Sequence, residues 1–379
     1  MLEITRQADK TFRSSGTNWE VVFDGPKPGL FSLRPDGALT VVSHYAVIDN
    51  LQESSALSSS RKVHHSNDGL EARFESSCWI PFGADPGISR KFKLSEGFLA
   101  VTMDFQIRPS FRVRSLFAGG YCLTGGIVQF AVLTAPESGV VLPQPDWKRF
   151  DSVAEGSVIY DSAQPPVALL AESTEGTVLE IATGEDFWRW TASASDTVSR
   201  YTLTKTENGL EASWLPYEFH PRPEVEVPAG RNRRMNFLLA WRKKDEGPRS
   251  ANYREVFDMA AFDWPETHLA YDQAGNPVKT RPCFAAPGVV NVLKKWVRRK
   301  LADLREGDVL AVTNVAPVFC TCAAHQDRAR MKSLPRMKSL PHLDVYGINE
   351  FRRWANRQLA QKGAKLEIVP AEGVNLPSI

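Results

Sequence analysis

The sequence predicts a mainly β protein: a large antiparallel two-sheet sandwich over residues 1–245, followed by a smaller α/β (α+β) domain over residues 246–379. Three observations carry this expectation. Short runs with apolar residues at every second position recur as far as Trp241, which is the period of a strand with one buried face. Turn-forming dipeptides stand between those runs. Beyond Asp245 the apolar period becomes helical and the charge changes with it: residues 246–379 hold 20 Lys and Arg against 14 Asp and Glu, a net of +6 that leaves −4 for residues 1–245.

The alternation is clearest where Leu99, Val101, Met103, Phe105 and Ile107 enclose Thr102, Asp104 and Gln106. It recurs at Leu70, Ala72 and Phe74, and again at Met235, Phe237, Leu239 and Trp241. Pro35-Asp36-Gly37, Asn67-Asp68-Gly69, Ser95-Glu96-Gly97, Glu175-Gly176 and Asn208-Gly209 supply the reversals, since Gly, Asn and Asp tolerate the positive φ of tight turns. No stretch from Thr5 to Lys244 keeps a 3.6-residue apolar stripe over three turns, so helices there are short at most. A segment this long with this turn density suits a two-sheet sandwich better than a small barrel. The text from Asp68 to Phe74 is echoed from Asn208 to Trp214, and reads as shared hairpin grammar rather than duplication.

In the second segment Val289, Val292, Leu293, Trp296, Val297, Leu301 and Leu304 recur at helical spacing, after Pro287-Gly288 and before Gly307. A buried strand follows at 308–313. A second helix is expected from Ile348 to Gln361, with Phe351, Trp354, Ala355 and Leu359 on one face, and a strand after Gly363 at 365–369. Between them the hexapeptide Arg-Met-Lys-Ser-Leu-Pro occurs twice, at 330–335 and 336–341. Such a duplication is tolerated best in an exposed loop, and 323–344 reads as a basic, mobile loop.

The chain of 379 residues exceeds what one core usually supports, so two domains are expected. Residues 1–10 lack the apolar core of a signal peptide, and no later stretch approaches ~18 uninterrupted apolar residues, so no membrane span is expected. Five sparse cysteines, Cys78, Cys122, Cys283, Cys320 and Cys322, point to a reduced, cytoplasmic compartment. No P-loop, dinucleotide fingerprint or Gly-x-Ser-x-Gly elbow is present, which sets aside nucleotide-dependent and serine-hydrolase chemistry. Lys294, Lys295, Arg298, Arg299 and Lys300 make the first helix basic, either as a solvated face or as a dock for an anionic partner.

Over residues 1–245 the strand-rich text, including Gly87-Ile88-Ser89-Arg90-Lys91-Phe92-Lys93-Leu94-Ser95-Glu96-Gly97-Phe98-Leu99-Ala100-Val101, resembles the galactose mutarotase-like β-supersandwich. This fold occurs in aldose epimerases and in accessory domains of glycoside hydrolases and polysaccharide lyases. The resemblance implies a carbohydrate-binding or carbohydrate-modifying protein with a carbohydrate partner. Sugar sites stack aromatic faces on C–H surfaces and bond hydroxyls through carboxylates, His and Arg. Candidates for substrate binding are His44, His64, His65, Arg90, Trp147, Trp188 and Trp190. Epimerases of this fold pair a carboxylate base with a histidine acid, and Glu218-Phe219-His220 places both types on one face if the stretch is a strand. The family's catalytic motifs do not surround either residue, which leaves a non-enzymatic scaffold or interaction role open.

The second segment resembles TusA-type sulfur-carrier proteins more faintly. Cys283-Phe284-Ala285-Ala286-Pro287 precedes a helix, and Leu304-Arg305-Glu306-Gly307 precedes a strand, although the Cys-Pro-x-Pro of that family is absent. The resemblance implies a thiol-dependent, sulfur-transfer role for Cys283, whose thiolate the helix dipole would favour. Cys320-Thr321-Cys322 with His325 offers soft ligands, but a strand would point the two thiols to opposite faces and no second ligand pair follows. The spacing therefore calls for no metal and no cofactor.

Overall fold

The computed structural model describes all residues except 1–4, 8–10, 25–29, 45–46, 49–50, 53–60, 67–68, 78–86, 96, 108–109, 114–115, 118, 135–143, 164, 184–199, 216–224, 228, 244–252, 273, 317, 319, 321, 323–341 and 372–379. The chain divides into two compact units, Met1–Val132 with Trp147–Trp241, and Leu133–Asp146 with Arg242–Ile379.

Two nine-stranded antiparallel sheets build the first unit. One runs in the order Thr5–Arg6, Phe12–Ser15, Glu20–Asp24, Leu30–Arg34, Leu39–Ser43, Gly119–Gly125, Gly209–Leu215, Arg200–Thr206, Val158–Ser162. The other runs Lys148–Arg149, Ile127–Leu133, Ala168–Ser173, Thr177–Thr183, Gly230–Lys243, Phe98–Ile107, Gly87–Ser95, Gly69–Ser77, Arg61–Ser66. The two echoed segments therefore lie in different sheets. Among the described residues the helical content of this unit is one 3-10 turn, Phe150–Ser152.

Period-two patterning sets the register. Leu99 stands opposite Leu94 on one neighbour and Leu239 on the other, and Val101 stands opposite Phe92 and Phe237. These rows put the alternate apolar residues on one face, and a slip of one residue would send all of them to the other. The rows face aromatic side chains of the first sheet: Phe23 lies 4.7 Å from Phe92 between ring centroids, Trp214 lies 5.1 Å from Phe237, and Phe31 lies 6.1 Å from Phe237. Each of these rings, once fully buried, stabilises the sandwich by roughly 1.5–3 kcal/mol. A polar link joins the sheets where Ser173 Oγ donates to Asp36 Oδ2 at 2.6 Å. Gly125 ends its strand at φ +109°, and a Cβ there would stand 1.9 Å from the Ala38 carbonyl oxygen, so only glycine fits this corner.

In the second unit three parallel strands, Glu255–Asp258, Val309–Val315 and Lys365–Pro370, pair with Val309–Val315 in the middle. Helices α1 (Pro287–Lys300) and α2 (His342–Ala360) lie on the two crossovers that parallel pairing requires. Val289, Leu293 and Val297 of α1 and Ile348, Phe351, Ala355 and Leu359 of α2 bury against Leu310, Val312 and Leu366. A separate hairpin joins Leu269–Tyr271 to Pro277–Pro282. No described helix is long and apolar enough to cross a membrane.

Two boundaries differ from expectation. α1 passes into a 3-10 turn at Leu301–Asp303, and Gly307, at φ +86°, belongs to the turn before the strand. α2 begins at His342, directly after Pro341, so residues 342–344 are helical where the sequence reads as a loop. The rest of that predicted loop lies outside the described residues. Gly347 lies inside this helix, where a Cβ would stand 2.5 Å from the Phe284 carbonyl oxygen, so glycine permits close approach of the helix to that backbone.

Candidate functional site

The sequence nominates a sugar site in the first unit. Glu218, His220, Trp188 and Trp190 lie outside the described residues. His64 and His65 belong to the strand Arg61–Ser66, in register with Glu71 and Leu70. Arg90 is buried, and its register opposite Met103 and Phe74 places it in the core-facing row of its strand. His44 follows the strand Leu39–Ser43 and is tied to the next strand by its backbone N–H, which donates to Gly120 O at 2.9 Å. Its Nε2 is buried and has no hydrogen-bond partner among the described residues.

Trp147 is half-buried beside the edge strand Lys148–Arg149. The strand of Arg90 stands six inter-strand steps away in the same sheet. At ~4.8 Å per step the separation along the sheet is about 29 Å, beyond the reach of one monosaccharide. The structure thus does not bring Trp147 and Arg90 together.

Two carboxylates escaped the sequence reading. Glu180 is 1% exposed and Glu172 is 9% exposed, on the adjoining strands Thr177–Thr183 and Ala168–Ser173, and Gln129 Nε2 donates to Glu172 Oε2 at 2.6 Å. Every residue of Thr177–Thr183 is buried, so both faces of that strand are covered. The detectable signal was one acid inside an apolar run, Val178-Leu179-Glu180-Ile181-Ala182. Such an acid is rarely placed there unless partnered.

In the second unit Cys283 is fully buried. It precedes α1 by four residues; its N–H donates to His268 O at 2.8 Å, and its own carbonyl accepts from Ala286 N at 2.9 Å. Complete burial closes the approach that a nucleophilic thiolate needs. Two more thiols surround it. The Sγ atoms of Cys283, Cys320 and Cys322 all lie within 4.8 Å of one another, and the Cys322 thiol donates to Cys283 Sγ at 3.6 Å. Opposite-face placement of Cys320 and Cys322 is thereby corrected: the strand before them ends at Val315, and the Cys322 N–H turns back onto Cys320 Sγ at 3.3 Å. His325 lies outside the described residues.

The cations of α1 are partly engaged within their own unit. Lys294 pairs with Glu350 at 3.9 Å and Lys300 with Glu255 at 2.9 Å. Lys294 and Arg298 also stand over the Trp354 ring, at 5.6 and 5.3 Å from its centroid. Such contacts satisfy part of the charge that an anionic partner would use.

No protein-family model and no curated protein sequence matches the chain. Among solved structures the chain is similar to the Slr1438 protein of Synechocystis sp. PCC 6803, at 9% identity and TM-score 0.40, over 64% of this chain and 98% of that one. A galactose mutarotase-like protein from Lactobacillus casei ATCC 334 is similar at 8% identity and TM-score 0.37, over 61% of this chain and all of that one. The alpha-N-acetylgalactosaminidase NagBb of Bifidobacterium bifidum is similar at 10% identity and TM-score 0.37 over 94% of this chain, which spans 59% of the glycosidase. About 60% of the chain is therefore similar to galactose mutarotase-like proteins; the sandwich itself is defined by the sheets and rows described above.

Proposed function

We propose that the first unit is a carbohydrate-binding or carbohydrate-modifying sandwich. The observation that supports this reading is the buried Nε2 of His44, which has no hydrogen-bond partner among the described residues. An imidazole nitrogen left without a bond in a buried place costs about 1–3 kcal/mol, and a ligand hydroxyl repairs that loss. In this reading His44 bonds a sugar hydroxyl and His64, His65, Trp188 and Trp190 complete the sugar surface, while Arg90, buried in the core-facing row, stands outside it. Trp147, beside the edge strand opposite to that of His64 and His65 in the same sheet, serves only an extended oligosaccharide. Glu218 and His220 are the base and acid if the bound sugar is epimerised at its anomeric carbon: the carboxylate takes the hydroxyl proton as the ring opens, and the imidazolium protonates the ring oxygen.

The test is calorimetric titration of the full chain with mono- and oligosaccharides, alongside polarimetry of anomer interconversion. A saturable sugar is expected, bound at least ~5-fold more weakly by His44→Ala, which loses about one hydrogen bond. Glu218→Gln is expected to abolish any interconversion while leaving binding in place. Absence of saturable binding across the panel, or equal affinity in wild type, His44→Ala and Trp188→Ala, overturns the reading.

A further inference from the structure

Three thiols converge in the second unit from two distant stretches of chain. Cys283 arrives at the end of the hairpin strand Pro277–Pro282, while Cys320 and Cys322 follow the central strand Val309–Val315. Their sulfurs share a space no wider than 4.8 Å, and Cys322 to Cys283 measures 3.6 Å. A disulfide needs ~2.05 Å between sulfurs, and no disulfide joins these residues. The spacing is instead that of ligands around one ion. Zinc–sulfur bonds of ~2.3 Å set thiolates about 3.8 Å apart on a tetrahedron and about 4.0 Å apart in a trigonal plane.

The surroundings fit the same role. Cys320 Sγ accepts two backbone N–H bonds, from Tyr271 and from Cys322, each at 3.3 Å. Donors aimed at sulfur orient it, which is what backbone amides do around ligating sulfurs. Ala270, Ala285 and Val318 are buried with Cys283 and Cys320, and Val278 packs against them. This apolar shell raises the electrostatic attraction between a cation and thiolates, while making unneutralised thiolates costly. Cys322 is half-buried. Among the described residues no fourth carboxylate, imidazole or thiol joins the group. Zinc takes four ligands, so these three thiolates supply all but one of them.

We propose that Cys283, Cys320 and Cys322 form a three-thiolate binding site for a thiophilic divalent cation of the zinc class. Binding forms three metal–sulfur bonds, breaks three S–H bonds and releases three protons to solvent; no electron is transferred. The neutralised thiolates tie the hairpin end, the start of α1 and the chain after Val315 to one centre. This site is independent of the sugar reading of the first unit.

The experiment uses the full chain, reduced and stripped with a chelator, then titrated with Zn²⁺ against a chromophoric competitor. Cd²⁺ is substituted to read thiolate-to-metal charge-transfer absorption. One equivalent of Zn²⁺, sulfur charge transfer with Cd²⁺ and close to three protons released per ion at a pH below the thiol range are expected. Cys322→Ser, at the half-buried position, should weaken binding by more than ~100-fold, exceeding the usual loss on removing an outer-shell partner. Cys122→Ser, remote in sequence and outside the cluster, should bind as wild type does. Circular dichroism confirms the fold of each variant; should Cys322→Ser be unfolded, Cys322→Ala and the wild-type charge-transfer band decide. Failure of the folded, reduced wild type to bind Zn²⁺, binding without sulfur charge transfer, or equal affinity in a folded Cys322 variant overturns the proposal.

Discussion

Replacing Asp36 by alanine removes an acceptor shared by a turn of the first sheet and the end of a strand in the second. Its Oδ1 accepts from Ala38 N at 2.9 Å and Leu39 N at 2.8 Å, and its Oδ2 from Ser173 Oγ at 2.6 Å. Ser173 Oγ in turn accepts from Thr177 N at 3.0 Å and Glu175 N at 3.2 Å. Truncation orphans the Leu39 N–H and the Ser173 hydroxyl proton in a buried corner, while the half-buried Ala38 N–H turns to water. Two buried donors at about 1–3 kcal/mol each give a loss of about 3 kcal/mol. For a domain of this size that is a fall of roughly 6–12 °C in Tm. Asp36→Asn keeps one carbonyl acceptor for the backbone donors and loses the charge, so about half the effect is expected. The acid limb supplies a second readout. Burial alone would raise the Asp36 pKa, but donation from Ser173, Leu39, Thr177 and Ala38 outweighs it and holds the carboxyl below its ordinary value. A depressed folded-state pKa contributes stability that is present above the unfolded value near ~3.9 and is lost as pH falls through the folded one. Urea denaturation at pH 7 and below pH 4 should therefore show a destabilised, flatter acid limb in Asp36→Ala. A variant within ~0.5 kcal/mol of wild type at pH 7 would refute the shared-acceptor account, that being the usual range for surface changes.

Two further predictions concern buried contacts. Tyr121 and Tyr201 share a hydroxyl contact at 3.2 Å in the interior; burial pushes the Tyr201 pKa up to about 12 and Tyr121 well above the ordinary tyrosine value. A raised folded-state pKa gives stability that is complete below the unfolded value near ~10 and is lost as pH rises through the folded one, at about 1.4 kcal/mol per pH unit per tyrosine. Urea midpoints at pH 8, 10 and 11 should fall less steeply in the double variant Tyr121→Phe/Tyr201→Phe, and an unchanged slope contradicts the pairing. At Gly347 two effects compete. Alanine in a helix interior gains about 1 kcal/mol over glycine, but its Cβ would meet the Phe284 carbonyl oxygen at 2.5 Å, and overpacking of this kind costs about 1–3 kcal/mol. Net destabilisation of Gly347→Ala is expected in thermal unfolding, with faster alkylation of Cys283 beside the displaced contact; a stabilised variant shows that the helix can shift freely.

How far the fold was readable in the amino-acid text depended on the range of the interactions that enforce it. Leu94, Leu99 and Leu239 form one row because each obeys period two within its own strand, so the mainly β architecture could be read run by run. The α/β character of the second unit was readable for the same reason, from the stripe Val289, Leu293 and Val297. Contacts closed over long loops left no such trace. Asp36 and Ser173 are 137 residues apart, and nothing local distinguishes this aspartate from any other turn residue. Cys283 and Cys322 are 39 residues apart. Read separately, one suggested a nucleophile and the other an incomplete ligand pair; only the approach of the two stretches makes three thiols one group. The contact of Gly347 with the Phe284 carbonyl, across 63 residues, is likewise invisible in the local text. The sugar candidates were chosen by residue type rather than by period, and type alone does not place side chains in one volume. Trp147 and Arg90, six strands apart, illustrate that limit. A functional site built on sheet faces becomes legible only with strand order, because neighbours across a sheet are arbitrarily distant along the chain.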